Sequence, residues 1–86
     1  MKAKSIDELI AQNVKAQERL QALSDEITAL EKVLGAARMA GASTAGINTK
    51  YTALETERRE LMAESAALMS AIDEIRAAER QAAQEA

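Results

Sequence analysis

The chain has 86 residues, a formal net charge of −3 and a hydrophobic fraction of 48% in which alanine alone supplies 20 residues. It carries one tyrosine and no other aromatic residue, and it lacks proline, cysteine and histidine. Ala, Glu, Lys, Leu and Arg make up 50 of the 86 residues, the bias of a long helix or coiled coil; this excludes an all-β fold, a disulfide scaffold and a Cys/His metal site, and it argues against an ordinary enzyme.

The first residues, Met1-Lys2-Ala3-Lys4-Ser5-Ile6-Asp7-Glu8, begin like a signal peptide but turn acidic at once, with no apolar core region. No run of about 18 apolar residues follows anywhere, so no membrane-spanning helix is expected. Absence of cysteine fits a reducing compartment. The expectation is a whole small bacterial or phage protein, located in the cytoplasm.

Ser5 followed by Glu8 is a capping box, and Asp7 and Glu8 suit the positive end of a helix dipole. A first helix is expected over 6–40, roughly 52 Å long at about 1.5 Å per residue. Gly35 lies inside its pattern and reads as a tolerated small residue. Ile6, Leu9, Asn13, Ala16, Leu20, Leu23, Ile27, Leu30, Leu34 and Ala37 alternate by three and four, the seam of a left-handed supercoil. Asn13 is the polar exception, and a buried Asn in such a seam sets register and oligomer state at a cost in strength.

Residues 41–48 hold two of the three glycines and no charge, and they read as the connecting loop. Gly41 is expected just past the first helix, in the left-handed conformation that ends helices. Asn48 or Thr49 is the expected N-cap of the second helix, with Ser43 the rival. That helix is expected over 49–80, with 81–86 a frayed tail. Its seam reads Tyr51, Leu54, Arg58, Leu61, Ser65, Leu68, Ile72, Ile75, Glu79 and Ala82. Arg58 is expected to lay its stem on the seam and send its guanidinium to water, and Ser65 to bond back to its own helix. Folding at the loop matches the two seams in phase where residue numbers sum to 88, which sets Asn13 against Ile75. The fold class is therefore all-α, an antiparallel two-helix coiled-coil hairpin forming a single domain.

Ile10, Val14, Met62 and Met69 lie beside the seam on one long side of this hairpin. Ala66 lies between the two methionines, and the uncharged Gln17, Gln21, Ser24 and Thr28 are on the same side. Its charges, Glu31, Arg38, Glu55 and Arg76, collect at the ends. The opposite side carries Arg19, Glu26, Glu57 and Glu64. Twenty large apolar side chains make a thin core for helices of this length, so a homodimer closing a four-helix bundle is expected, with Ile10, Val14, Met62, Ala66 and Met69 as its interface.

Chemistry is sparse. Glu57, Glu60 and Glu64 share a helix face without a partnering Glu-x-x-His pair, and they read as a solvated surface. No catalytic, cofactor or metal residue is expected. Between Glu31 and Glu55 no acid occurs, while Lys32, Arg38 and Lys50 do. With Met39 and Tyr51 these residues form a basic hairpin tip, a candidate docking site for an acidic partner.

In outline the chain resembles hairpin arms such as that of seryl-tRNA synthetase, and small helical regulators of bacteria and their phages. The likeness is of shape and composition over the whole chain, with no diagnostic motif, and it transfers no functional residue. The expected function is a non-enzymatic regulator or inhibitor that pairs with itself and binds a second protein. The alternatives are a self-assembling coiled-coil spacer and weak nucleic-acid binding through the tip.

Overall fold

Two helices, α1 (Ile6–Met39) and α2 (Ala45–Glu85), make up nearly all of residues 5–85, which the computed structural model describes. They run back on one another as a hairpin measuring 70 × 25 × 14 Å.

Local chemistry sets both ends of α1. Ser5 is extended (φ −69°, ψ 159°), and its Oγ accepts the Glu8 backbone N–H at 3.2 Å, which satisfies one of the free donors of the first turn. At the other end Gly41 takes φ +70°, as the sequence predicts. The Ala42 N–H then bonds the Ala37 carbonyl at 2.9 Å and the Gly41 N–H bonds Arg38 at 3.2 Å. This bond pair is the Schellman closure of a helix, and it needs a residue without Cβ at the left-handed position.

The turn is shorter than expected. Ala45, not Thr49, opens α2, so the expected loop 41–48 contracts to residues around Gly41–Thr44. Thr44 precedes the helix and its carbonyl accepts the Asn48 N–H at 2.9 Å. Neither Asn48 nor Thr49 caps the helix, since Asn48 Nδ2 and Thr49 Oγ1 bond back to Thr44 Oγ1 and the Ala45 carbonyl. Gly46 disfavours helix by about 1 kcal/mol. Against this, the extra turn brings Ile47 onto the seam four residues before Tyr51, where it is half-buried. A half-buried Ile repays that cost. At the far end α2 continues to Glu85, through the segment expected to fray.

The shorter turn displaces the register. Ser65 contacts Asn13 and Gln17, and Tyr51 contacts Glu31, so contacting residue numbers sum to 78 and 82. The expected sum was 88, so the helices have slipped by about one heptad. Asn13 consequently lies near Ser65 and not against Ile75. All ten seam positions of α1 remain buried or half-buried, as do those of α2 from Tyr51 to Ile75. Glu79 and Ala82 are exposed, because the slip carries the last turns of α2 past the start of α1.

The core is a single file. The buried apolar side chains among the described residues are Leu9, Ala16, Leu23, Ile27 and Ile72, of which only Leu23 is fully enclosed. None of the described helices is long and apolar enough to cross a membrane.

Candidate interaction surface

A two-helix hairpin can cover only the strip where its helices touch. The residues flanking that strip form two broad faces, and here the two differ in chemistry.

One face is polar and internally paired. Arg19 on α1 reaches across to Glu57 on α2, with Nε to Oε2 at 2.6 Å and Nη2 to Oε1 at 3.0 Å, while its other nitrogen lies 3.7 Å from Glu26. The fork geometry engages both carboxylate oxygens. Hydrogen bonds from Arg19 hold the Glu57 carboxyl below its usual value. A carboxylate of depressed pKa stabilises the fold above its ordinary pKa, and the contribution is lost as pH falls through the depressed value. Glu57 is thus an ion-pair residue, whereas Glu60 and Glu64 are exposed. Toward the tip this face turns apolar, where Val33, 52% exposed, shares a shallow depression with Ala29, Leu30, Leu54, Glu26 and Lys50. Sequence reasoning missed Val33. The available signal was its place one heptad beyond Glu26, on the polar side of the seam.

The opposite face is the one predicted to be apolar. Ile10, Val14 and Met69 line one open groove together with Asn13, Ile72, Asp73 and Arg76. Val14, Met62 and Met69 are 50%, 55% and 53% exposed, so large apolar groups stand in water along this face. The intervening polar side chains bond within the chain. Gln17 Nε2 donates to Ser65 at 2.7 Å, Gln21 to Asp25 at 3.2 Å, and Thr28 to the Ser24 carbonyl at 3.0 Å. Their hydrogen-bonding demands are partly met before any partner arrives.

Under this face lies a polar break in the seam. Ser65, only 4% exposed, donates from Oγ to Asn13 Oδ1 at 2.6 Å and accepts from Gln17 Nε2. The expectation that Ser65 bonds its own helix is replaced by a bridge between helices. Among the described residues no buried side-chain polar atom lacks a partner. Asn13→Leu alone would leave the Ser65 O–H without its acceptor, while Gln17 still donates to the oxygen, a loss of about 1–3 kcal/mol that offsets the gain in apolar burial. Asn13→Leu is therefore expected to leave the melting temperature unchanged or lower it. Asn13→Leu with Ser65→Ala should raise it above wild type. A double-mutant cycle by thermal denaturation reads the coupling, and additive effects would show that the bridge carries no energy.

The tip residues are not brought together. Lys32, Arg38 and Met39 are exposed, Met39 at 92%. Lys50 lines the depression with Val33, on the Glu57 face, whereas Arg38 shares its heptad position with Glu31 on the other. Tyr51 is half-buried on the seam, and its hydroxyl donates to Glu31 at 3.4 Å. Arg58 does not send its guanidinium free into water but bonds Glu55 at 2.9 Å.

Desolvation, with the nearby carboxylates of Glu55 and Glu31, raises the Tyr51 pKa. A raised value means that its share of stability is full below the unfolded pKa of about 10 and is lost as pH rises through the folded value. As the only aromatic residue, Tyr51 reports this directly. Its tyrosinate absorbance is expected to appear above the normal pH in the folded protein and at the normal pH in urea. Glu31→Gln should recover part of the difference, because burial remains the larger cause. An ordinary titration in the folded state would contradict the packing of Tyr51 on the seam.

Comparison of the chain with known protein families, with curated proteins and with solved structures finds no significant match.

Proposed function

We propose that the chain is a non-enzymatic protein-interaction module, a helical hairpin that pairs with a second copy of itself through the Ile10–Val14–Met62–Met69 face and presents its remaining surface to another protein. The observation that carries this reading is the exposure of Val14, Met62 and Met69 along one face of a hairpin in which, among the described residues, Leu23 is the one large side chain that is fully enclosed. Large contiguous apolar surface on a small chain marks an association site. A second hairpin laid on this face makes a four-helix bundle, with each apolar strip serving as the other's missing core layer. Ala66, small and between the methionines, allows close approach of the backbones.

With that face covered, the client-binding surface is the tip and the depression around Val33, Leu54 and Lys50. Arg38 and Lys50 flank the seam on opposite sides, so separate charge reversals at the two positions distinguish which side a client reads. The reading as a regulator or inhibitor rests on the absence of histidine and cysteine from the sequence and on this surplus of recognition surface. Sedimentation equilibrium at micromolar concentration tests the pairing. A dimer mass supports it, and a monomer removes it.

A further inference from the structure

The charges and methionines on one heptad line of α2, Glu55, Met62, Met69 and Arg76, are arranged symmetrically about a point between Ser65 and Ala66, with Arg58 and Asp73 flanking that line. Moving outward from that point, Met62 matches Met69, Arg58 matches Asp73 and Glu55 matches Arg76, each pair having numbers that sum to 131. On the heptad line of the methionines each charged position thus finds the opposite charge at its mirror position, and each methionine finds the other. Glu55, Met62, Met69 and Arg76 are spaced by sevens, so they fall on one line along the helix. The structure places the rest on the same face. Asp73 and Arg76 line the groove with Met69, and the Arg58 guanidinium is drawn to Glu55 at 2.9 Å.

We propose that two hairpins dock antiparallel through this face, tip against open end, with a two-fold axis passing by Ser65 and Ala66 and α2 of one copy lying on α2 of the other. This rests on the homodimer reading and adds its geometry. About that axis Met69 sits over the partner's Met62. Arg76 reaches the partner's Glu55 and Asp73 reaches the partner's Arg58, so each end of the interface closes with a four-charge cluster. The interface is isologous, so every such contact occurs twice. The alternative places the tips together and lays α2 on the partner's α1. There Met69 meets Ile10 and Val14, which is apolar and acceptable, but Glu55 faces the stretch of Ser24 and Thr28, which offers no cation. Charge complementarity thus selects the antiparallel arrangement, in the way that flanking charges choose orientation in coiled coils.

The natural absence of cysteine gives a clean test. A disulfide forms only where Cα atoms approach within about 7 Å. Two singly substituted chains, Met62→Cys and Met69→Cys, are mixed under mild oxidation. The expected product is the mixed disulfide, in excess of either self-disulfide. The pair Val14→Cys with Met69→Cys reports the tips-together arrangement and is expected not to cross-link. Sedimentation of each reduced variant, with helicity measured by circular dichroism, confirms that it folds and associates. A dimer that cross-links through Val14 and Met69 overturns the antiparallel geometry while keeping the homodimer. A monomer overturns both. As a second readout, Arg76→Glu is expected to weaken dimerisation at low salt, with added salt recovering part of the loss because it screens the new repulsion against the partner's Glu55, and the exchange Arg76→Glu with Glu55→Arg is expected to restore it. Failure of the exchange to rescue a dimer weakened by Arg76→Glu counts against the charge pairing.

Discussion

A chain carrying Met62→Glu and Met69→Glu is expected to sediment as a monomer at concentrations where the wild type is a dimer. Both side chains are about half exposed in the single hairpin, so a glutamate at either position can remain solvated there. Helicity of the monomer should therefore survive. In the dimer each glutamate would be desolvated against an apolar partner surface, and an unpaired charge in such a place costs several kcal/mol. A penalty of about 4 kcal/mol corresponds to roughly a thousandfold weaker association. Met39→Glu is the matched control, because Met39 is 92% exposed at the tip and outside the proposed interface. It should leave the dimer intact. Undiminished dimerisation of the Met62/Met69 variant would show that another surface joins the copies.

Leu23→Ala is expected to have the largest effect on stability of any truncation to alanine in the seam. Leu23 is the one fully enclosed large side chain among the described residues, with 0% exposure. Truncating an enclosed leucine costs about 2–5 kcal/mol, the spread reflecting how far the cavity can collapse. Native domains have only about 5–15 kcal/mol in hand, and a thin hairpin belongs near the bottom of that range. Thermal unfolding followed by circular dichroism should show a large drop in midpoint, or loss of cooperative folding at room temperature. Leu34→Ala provides the comparison. Leu34 is only half-buried near the tip and should cost distinctly less. Equal effects at the two positions would mean that the core is spread evenly along the seam.

The apolar face was legible in the sequence because Ile10, Val14, Met62 and Met69 keep helical spacing beside the seam, and the structure draws Ile10, Val14 and Met69 into one groove. The basic tip was legible only as a run without acids. Heptad position already set Arg38 on the side of Ile10 and Val14, and the structure places Lys50 on the other side, with Val33 and Leu54. Val33 went unnoticed because Lys32 and Glu31 precede it and Arg19 and Glu26 share its heptad line. Its exposure near Leu54 is a consequence of tertiary register.

Two long helices, their apolar seam, the Ser5 cap and the left-handed turn at Gly41 follow from the sequence alone, since each depends on residues within a turn or two of one another. The register does not. A seam that repeats every seven residues stays in phase when one helix slides by a heptad, so every apolar position still meets an apolar strip and the pattern cannot distinguish the two alignments. The turn decides between them. Burial of Ile47 outweighs the helical cost of Gly46, α2 begins at Ala45, and the shortened connection pulls Ser65 to Asn13 and Gln17. That single slip also leaves the end of α2 beyond α1, and it turns two isolated polar positions into a bonded bridge between the helices. These are long-range consequences of a short loop, and only the folded chain brings the distant residues close enough to choose among them.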